Sequence, residues 1–186
     1  MNKQKMNRNT AVIAAATALL IAGSMAFGLA IGTNPSDGMK VTGWVKVQVV
    51  REGNVIYFSE NHNLITTAGK DYISAQIGST SPAGNGANYI GLSLDSQAPS
   101  ASDTALAGEI ATGGLARALG TYSHTAGQNT FTVTKQFTAS GTFTGVQKAG
   151  LFTASTAGTM MAENTFSSVN LVSGDQITIT WTITIA

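Results

Sequence analysis

A ten-residue segment near the C-terminus constrains the fold more than any other part of the chain. In residues 176–185 a large apolar side chain alternates strictly with Gln or Thr. Successive side chains of a β-strand point to opposite faces of a sheet, so the pattern predicts a strand with one buried face. A register shift of one residue would turn the whole apolar set to water, which specifies the pairing strongly. The apolar set is Ile177, Ile179, Trp181, Ile183 and Ile185.

Period-two alternation recurs along residues 39–186. In the first such segment Val45 and Val47 belong to the apolar face, and Trp44 belongs to the polar face with Lys46 and Gln48. Turn-forming residues at positions 51–54 then predict a hairpin with residues 55–59. Further strands are predicted over residues 89–94, 115–122, 130–138, 141–147, 150–154 and 159–165.

One segment has helical spacing instead. Ile73 and Ile77 lie four residues apart, and Thr66 or Thr67 is placed to cap the preceding turn. This pattern predicts one short helix over residues 66–77. The stretches 79–88 and 95–104 are predicted to be loops.

About nine short strands separated by turns predict an all-β domain over residues 39–186. We expect an Ig-like or jelly-roll-like sandwich of two antiparallel sheets with one short helix. The chain contains no cysteine, so packing must stabilise it without disulfides. The predicted core includes Val45, Val47, Ile177, Ile179, Trp181 and Ile183.

The N-terminus is a hydrophobic leader. Lys3, Lys5 and Arg8 precede an uncharged, mostly apolar stretch over residues 11–32. This order is typical of export, and the small residues around Ala26 predict a signal peptide over residues 1–26. Alternatively, residues 11–32 are retained as a membrane helix, because about 20 apolar residues suffice to span a bilayer. The membrane is then a partner only during export or through that helix.

Charge and residue types exclude several functions. After removal of residues 1–26, seven basic and nine acidic residues remain, so no basic face for nucleic acid is expected. His62 and His124 are the only histidines, which excludes a histidine-rich metal site. Ser123 and His124 are adjacent on a predicted strand and should face opposite ways, which argues against a Ser-His-Asp triad. We therefore expect a protein that is not an enzyme and needs no cofactor.

The loop over residues 95–104 carries the one candidate metal site. Asp95 and Asp103 flank it and would supply the oxygen ligands that calcium prefers. The spacing does not follow the EF-hand pattern, however, and loop carboxylates are commonly just solvated. We therefore expect no bound metal.

Five short motifs occupy residues 63–69, 89–92, 102–109, 150–152 and 174–181. In this order they resemble motifs of β-sandwich structural proteins of tailed-phage virions. The resemblance covers roughly residues 40–186. An exported leader followed by such a domain is more similar to archaeal surface filaments of the thread and bundling-pilus kind. That resemblance implies pilin-like subunits that join by donor-strand exchange.

The new N-terminus supports the same interpretation independently. Cleavage after Ala26 exposes Phe27, Leu29 and Ile31 at period two, with small residues between them. A short detached strand cannot bury such a face alone, so residues 27–38 are predicted to be a donor strand and hinge that adds to a sheet edge of the next subunit. Repeated head to tail, this contact yields an extracellular homopolymer on the cell surface. Trp44 is a second predicted interface residue.

Two alternatives remain open at this point. If residues 27–32 are the end of a retained membrane helix, the chain would be a type IV pilin-like subunit. If the domain acts alone, it would be a secreted or membrane-tethered adhesin that contacts other cell surfaces through the loops over residues 79–88 and 95–104.

Overall fold

A computed structural model describes residues 38–82 and 84–186, and it shows the predicted two-sheet antiparallel sandwich. Met39–Ala186 forms one compact unit. The first sheet has the strand order β2-β1-β10-β7-β6, and the second has the order β3-β9-β8-β4-β5. The elements are β1 (Val41–Arg51), β2 (Asn54–His62), β3 (Leu64–Ile65), α1 (Thr67–Gly78), β4 (Tyr89–Ser93), β5 (Ala118–Leu119), β6 (Thr121–His124), β7 (Thr130–Thr138), β8 (Phe143–Phe152), β9 (Met160–Leu171) and β10 (Gln176–Ile185).

The strictly alternating segment forms β10, the central strand of the first sheet. Trp181 is paired with Val45 of β1 and Val133 of β7, and all three side chains point into the sandwich. Each of the six residues predicted for the core is 0% exposed. A central strand with one face buried over its length explains why the alternation is so strict.

The second sheet differs from the prediction in two long strands. β9 continues to Leu171, whereas the predicted strand ended at residue 165. Residues 141–147 and 150–154 were predicted to be two strands, but β8 runs unbroken through both. Its register with β9 shifts around Val146, next to Gly145, whose φ is +83°. A bulge therefore absorbs the irregular pattern without ending the strand. The last five residues of β8 are all buried, because Leu106 and its neighbours cover the outer face of this sheet.

The segment predicted as one strand over residues 115–122 is split at Gly120. β5 pairs with β4 in the second sheet, whereas β6 pairs with β7 in the first. The chain thus changes sheets at Gly120, where an added Cβ would lie 2.7 Å from Val133 Cγ1. Only glycine fits this crossing without displacing a neighbour.

The helix α1 covers Thr67–Gly78, one residue later at each end than predicted. Thr66 is the N-cap, and its hydroxyl accepts a hydrogen bond from the Gly69 N–H at 2.9 Å. The same hydroxyl donates to the Met160 carbonyl at 2.6 Å, which ties the start of α1 to β9. Among the described residues, no helix has the length and apolar character needed to cross a membrane.

Candidate functional site

An apolar groove of about 520 Å³ lies at one end of the sandwich, between the first sheet and α1. Its floor is formed by Val41, Phe131 and Ile183, at the start of β1, the start of β7 and the end of β10. Their side chains lie side by side on one face of the sheet. Ile183 pairs directly with Phe131, and Val41 pairs with Ile185, two residues further along β10. The groove therefore exposes part of the same inner face that forms the core.

The floor is incompletely covered because the second sheet is short at this end. β3 has only two residues, and β9 starts at Met160. Ile183 is fully buried, but Val41 and Phe131 are half-buried and Ile185 is exposed. Inner-facing side chains near the end of the first sheet thus lack part of the partner layer that covers the rest.

The helix supplies the opposite wall. Tyr72, Ile73, Gln76 and Ile77 line the groove, and their spacing places them on one side of α1. Ile77 is 66% exposed although it belongs to this apolar wall. The Tyr72 hydroxyl donates to the Asn85 carbonyl, which fastens the helix to the following loop, and burial raises the pKa of Tyr72. The two isoleucines predicted to share a helical face therefore both line the groove.

An edge strand borders the groove. β6 is the terminal strand of the first sheet in the part of the chain that the structure describes. Tyr122 on β6 pairs with the buried Val133 and so points to the inner side, yet it is 56% exposed. Its ring centroid lies 5.6 Å from that of Phe131. Backbone groups on an open edge next to an apolar groove are the two features that an added strand requires.

Of the four predicted interface residues, the structure describes Trp44. Phe27, Leu29 and Ile31 fall outside the described residues. Trp44 is 41% exposed on the outer face of the first sheet, where its ring centroid lies 3.5 Å from that of His62. Trp44 therefore does not line the groove.

The predicted loop carboxylates Asp95 and Asp103 belong to an ionic cluster on the outer face of the second sheet. Lys148 Nζ lies 2.5 Å from Asp95 Oδ2 and 3.9 Å from Glu163 Oε2. The cation beside Asp95 is thus the lysine ammonium. Within residues 38–82 and 84–186, no group of three His, Cys, Asp or Glu side chains is arranged to hold a metal ion.

The remaining candidate was the pair Ser123 and His124. Across β7 they face Thr132 and Phe131, so the two side chains project to opposite sides of the sheet. His124 Nδ1 lies 2.9 Å from the Thr130 carbonyl. The pair therefore does not form a hydrogen-bonded nucleophile and base.

Sequence reasoning missed Lys148, Glu163, Tyr72 and Gln76. Lys148 lies between two predicted strands, and Glu163 lies within a predicted strand. From the sequence alone, neither differs from an ordinary charged residue on the surface. A signal for the helix residues was present in the spacing of Ile73 and Ile77, but the groove that they face was not visible in it.

No family model matches this chain, and neither the curated proteins nor the solved structures contain a significant match to it.

Proposed function

We propose that this protein is a structural subunit of an extracellular filament and that residues 27–33 of one subunit insert into the groove of the next. The observation that carries this proposal is the apolar groove beside the open edge of β6. The exported leader and the in-phase Phe27, Leu29 and Ile31 support it from the sequence. In this role the protein is not an enzyme, and its main partner is a second copy of itself.

The inserted segment and the groove match in chemistry. One face of residues 27–33 carries three large apolar side chains, and the other carries Gly28, Ala30 and Gly32. The large side chains would complete the uncovered floor around Phe131, while the backbone pairs with β6. Burial of three such side chains contributes about 5–9 kcal/mol before the cost of ordering the strand. The small residues would leave little apolar surface in water.

Strand direction favours a second subunit as the donor. A strand added antiparallel to β6 runs in the same direction as β1, away from the end of the sandwich at which β1 begins. A donor from the same subunit would have to double back between Thr33 and Val41, across β6, β7 and β10. A donor from another subunit enters without this turn. The resulting contact is head to tail and does not close, so it gives a fibre.

The decisive experiment compares two charge substitutions in the exported protein. Leu29→Asp places a carboxylate in the groove and should abolish filaments, because an unpaired buried charge is strongly destabilising. Ala30→Asp is the matched control, since its side chain lies on the opposite face of the same strand, and filaments should persist. Negative-stain imaging and sedimentation measure both outcomes. Normal filaments from the Leu29→Asp chain would refute strand insertion.

A complementary experiment tests the groove itself. A chain without residues 27–33 should remain folded and monomeric, and a synthetic peptide of those residues should raise its melting temperature by mass action. The same peptide with Leu29→Asp should have no effect. If the native peptide also has no effect, the groove is not the acceptor.

The processed N-terminus separates the filament types. We expect intact-mass measurement of the extracellular protein to give Phe27, or a residue close to it, as the first residue. Detection of Lys3 or Thr10 in that protein would favour a membrane-anchored or type IV pilin-like subunit.

The outer face of the first sheet supports a second candidate, an adhesin or binding module. Trp44, Ile56 and Phe58 are exposed on neighbouring strands of this face. The Lys46–Glu60 pair lies between Trp44 and Phe58, so these are separate exposed side chains on one face. Aromatic side chains are enriched in protein interfaces. Under this alternative, a monomeric Leu29→Asp protein would still bind cell surfaces, and Trp44→Ala or Phe58→Ala would weaken that binding.

A further inference from the structure

The ionic cluster brings a buried amine and a partly exposed carboxyl group together. Lys148 on β8 is 2% exposed, and its Nζ lies 2.5 Å from Oδ2 of Asp95. Asp95 lies two residues after the end of β4. Because Ser93, the last residue of β4, pairs with Lys148, the two groups are brought together. Their separation of 53 residues in sequence makes this a long-range contact.

A second carboxyl group completes the cluster from the other side. Glu163 on β9 is 1% exposed, and its Oε2 lies 3.9 Å from Lys148 Nζ. Its Oε1 accepts a hydrogen bond from the Ser100 N–H at 3.0 Å, and Asp103 Oδ2 accepts from the same N–H at 2.9 Å. The loop that contains Ser100 therefore covers the site, and its Ser100 N–H holds the carboxyl groups of Glu163 and Asp103 in place.

Glu163 is suited to carry a proton. Burial, followed by its hydrogen bond with Asp103, raises the pKa of Glu163 to about 7. The same hydrogen bond lowers the pKa of Asp103, so the shared proton belongs mainly to Glu163. A carboxyl group that titrates near neutral pH exchanges protons readily in both directions.

We infer that Lys148 and Asp95 condense to an intramolecular amide, an isopeptide bond, with Glu163 as the proton carrier. First, an ammonium proton passes from Lys148 to Asp95, so that both groups become neutral. The Nζ lone pair then forms a bond to Asp95 Cγ. Glu163 donates its proton to one oxygen of Asp95, the Cγ–O bond breaks and water leaves. The Glu163 carboxylate finally takes a proton from the nitrogen.

The reaction balances without a co-reactant. One ammonium and one carboxylate become one amide and one water, and no electrons are transferred. Two features of the site favour it. The reacting groups are already in contact, which in intramolecular reactions corresponds to effective concentrations of about 10⁵–10⁸ M. Condensation also replaces the buried Lys148 ammonium, whose desolvation is costly, by a neutral amide.

The bond would have a structural purpose in this chain. It would join β4 and β8 covalently in a protein that contains no cysteine for disulfides. It does not depend on the proposed strand insertion, because the cluster lies on the outer face of the second sheet and shares no residue with the groove. The two proposals therefore succeed or fail separately.

Mass spectrometry of the purified full chain tests the inference. The denatured protein should be lighter than its sequence by one water, and digestion should yield a branched peptide that joins Lys148 to Asp95. Asp95 precedes Ser96, and a backbone succinimide at this position would lose the same mass. The branched peptide, together with resistance to hydroxylamine, distinguishes the isopeptide from the succinimide. A folded wild-type chain with its full mass after incubation at neutral pH would overturn the inference.

Variants assign the roles. Lys148→Met and Asp95→Ala should restore the full mass. Glu163→Gln should also restore it, or slow the loss of water by at least tenfold, while circular dichroism shows a native fold. Glu109→Gln is the matched control, since Glu109 pairs with Arg117 on the same side of the sheet, and the mass deficit should persist. If Glu163→Gln cross-links at the wild-type rate, Glu163 is not the proton carrier. If Lys148→Met does not fold, the branched peptide of the wild type still decides.

Discussion

Gly69 is the point of closest contact between α1 and the second sheet, and replacing it should loosen the wall of the groove. Gly69 is the buried residue of α1. A Cβ at this position would lie 2.8 Å from the carbonyl carbon of Met161 and closer still to its oxygen. The obstacle is the backbone of β9, which cannot move aside by changing rotamer as a side chain can. Gly69→Ala must therefore push the helix away from the strand.

Two opposing effects set the magnitude. Alanine is favoured over glycine within a helix by about 1 kcal/mol. Overpacking a close contact costs about 1–3 kcal/mol, and rigid backbone on the opposing side places this site at the upper end. We therefore expect Gly69→Ala to lower the free energy of unfolding by about 2 kcal/mol. It should also weaken binding of the peptide of residues 27–33, because α1 forms one wall of the groove.

Urea denaturation in the Leu29→Asp background, which should keep the chain monomeric, provides the assay. Gly78→Ala is the matched control. Gly78 is the last residue of α1, and an added Cβ there would meet nothing within 4 Å. Gly78→Ala should leave the stability unchanged or raise it by up to about 1 kcal/mol. If Gly69→Ala is as stable as Gly78→Ala, the helix is not held against Met161 as described.

Three further predictions concern the core, the helix cap and pH. Trp181→Ala should lower the free energy of unfolding by about 3–5 kcal/mol, and a loss below about 1 kcal/mol would place Trp181 outside the core. Thr66→Ala should cost about 1–2 kcal/mol by urea denaturation, whereas Thr66→Ser should retain most of the stability through the same hydroxyl contacts. The pKa of Glu163 is raised from 4.5 to about 7, so the native chain binds more protons than the unfolded chain between these values. Stability should therefore fall as pH rises through this window, and Glu163→Gln should flatten that part of the profile.

Local patterns were sufficient for the strands with one buried face and clear turns. β7 and β10 have the predicted bounds, because alternation over nine or ten residues leaves no other register that buries the apolar set. The sequence limited the helix cap to Thr66 or Thr67, and the structure identifies it as Thr66. The break at Gly120 and the continuity of β8 were not recognisable, since both depend on which neighbouring strand the chain meets.

The groove and the ionic cluster also depend partly on local sequence patterns and partly on the tertiary structure. The alternating side chains already determined that residues 39–186 form strands with an apolar side, and hence a sandwich, because hydrophobic burial at period two is a local property. The tertiary structure determines which parts of that apolar side remain uncovered. β3 has only two residues, and α1 follows it in place of a longer strand. The burial of Lys148 beside Asp95 was likewise decided by the loop that folds over the second sheet. Coverage and burial depend on residues far apart in sequence, and no local pattern encodes them.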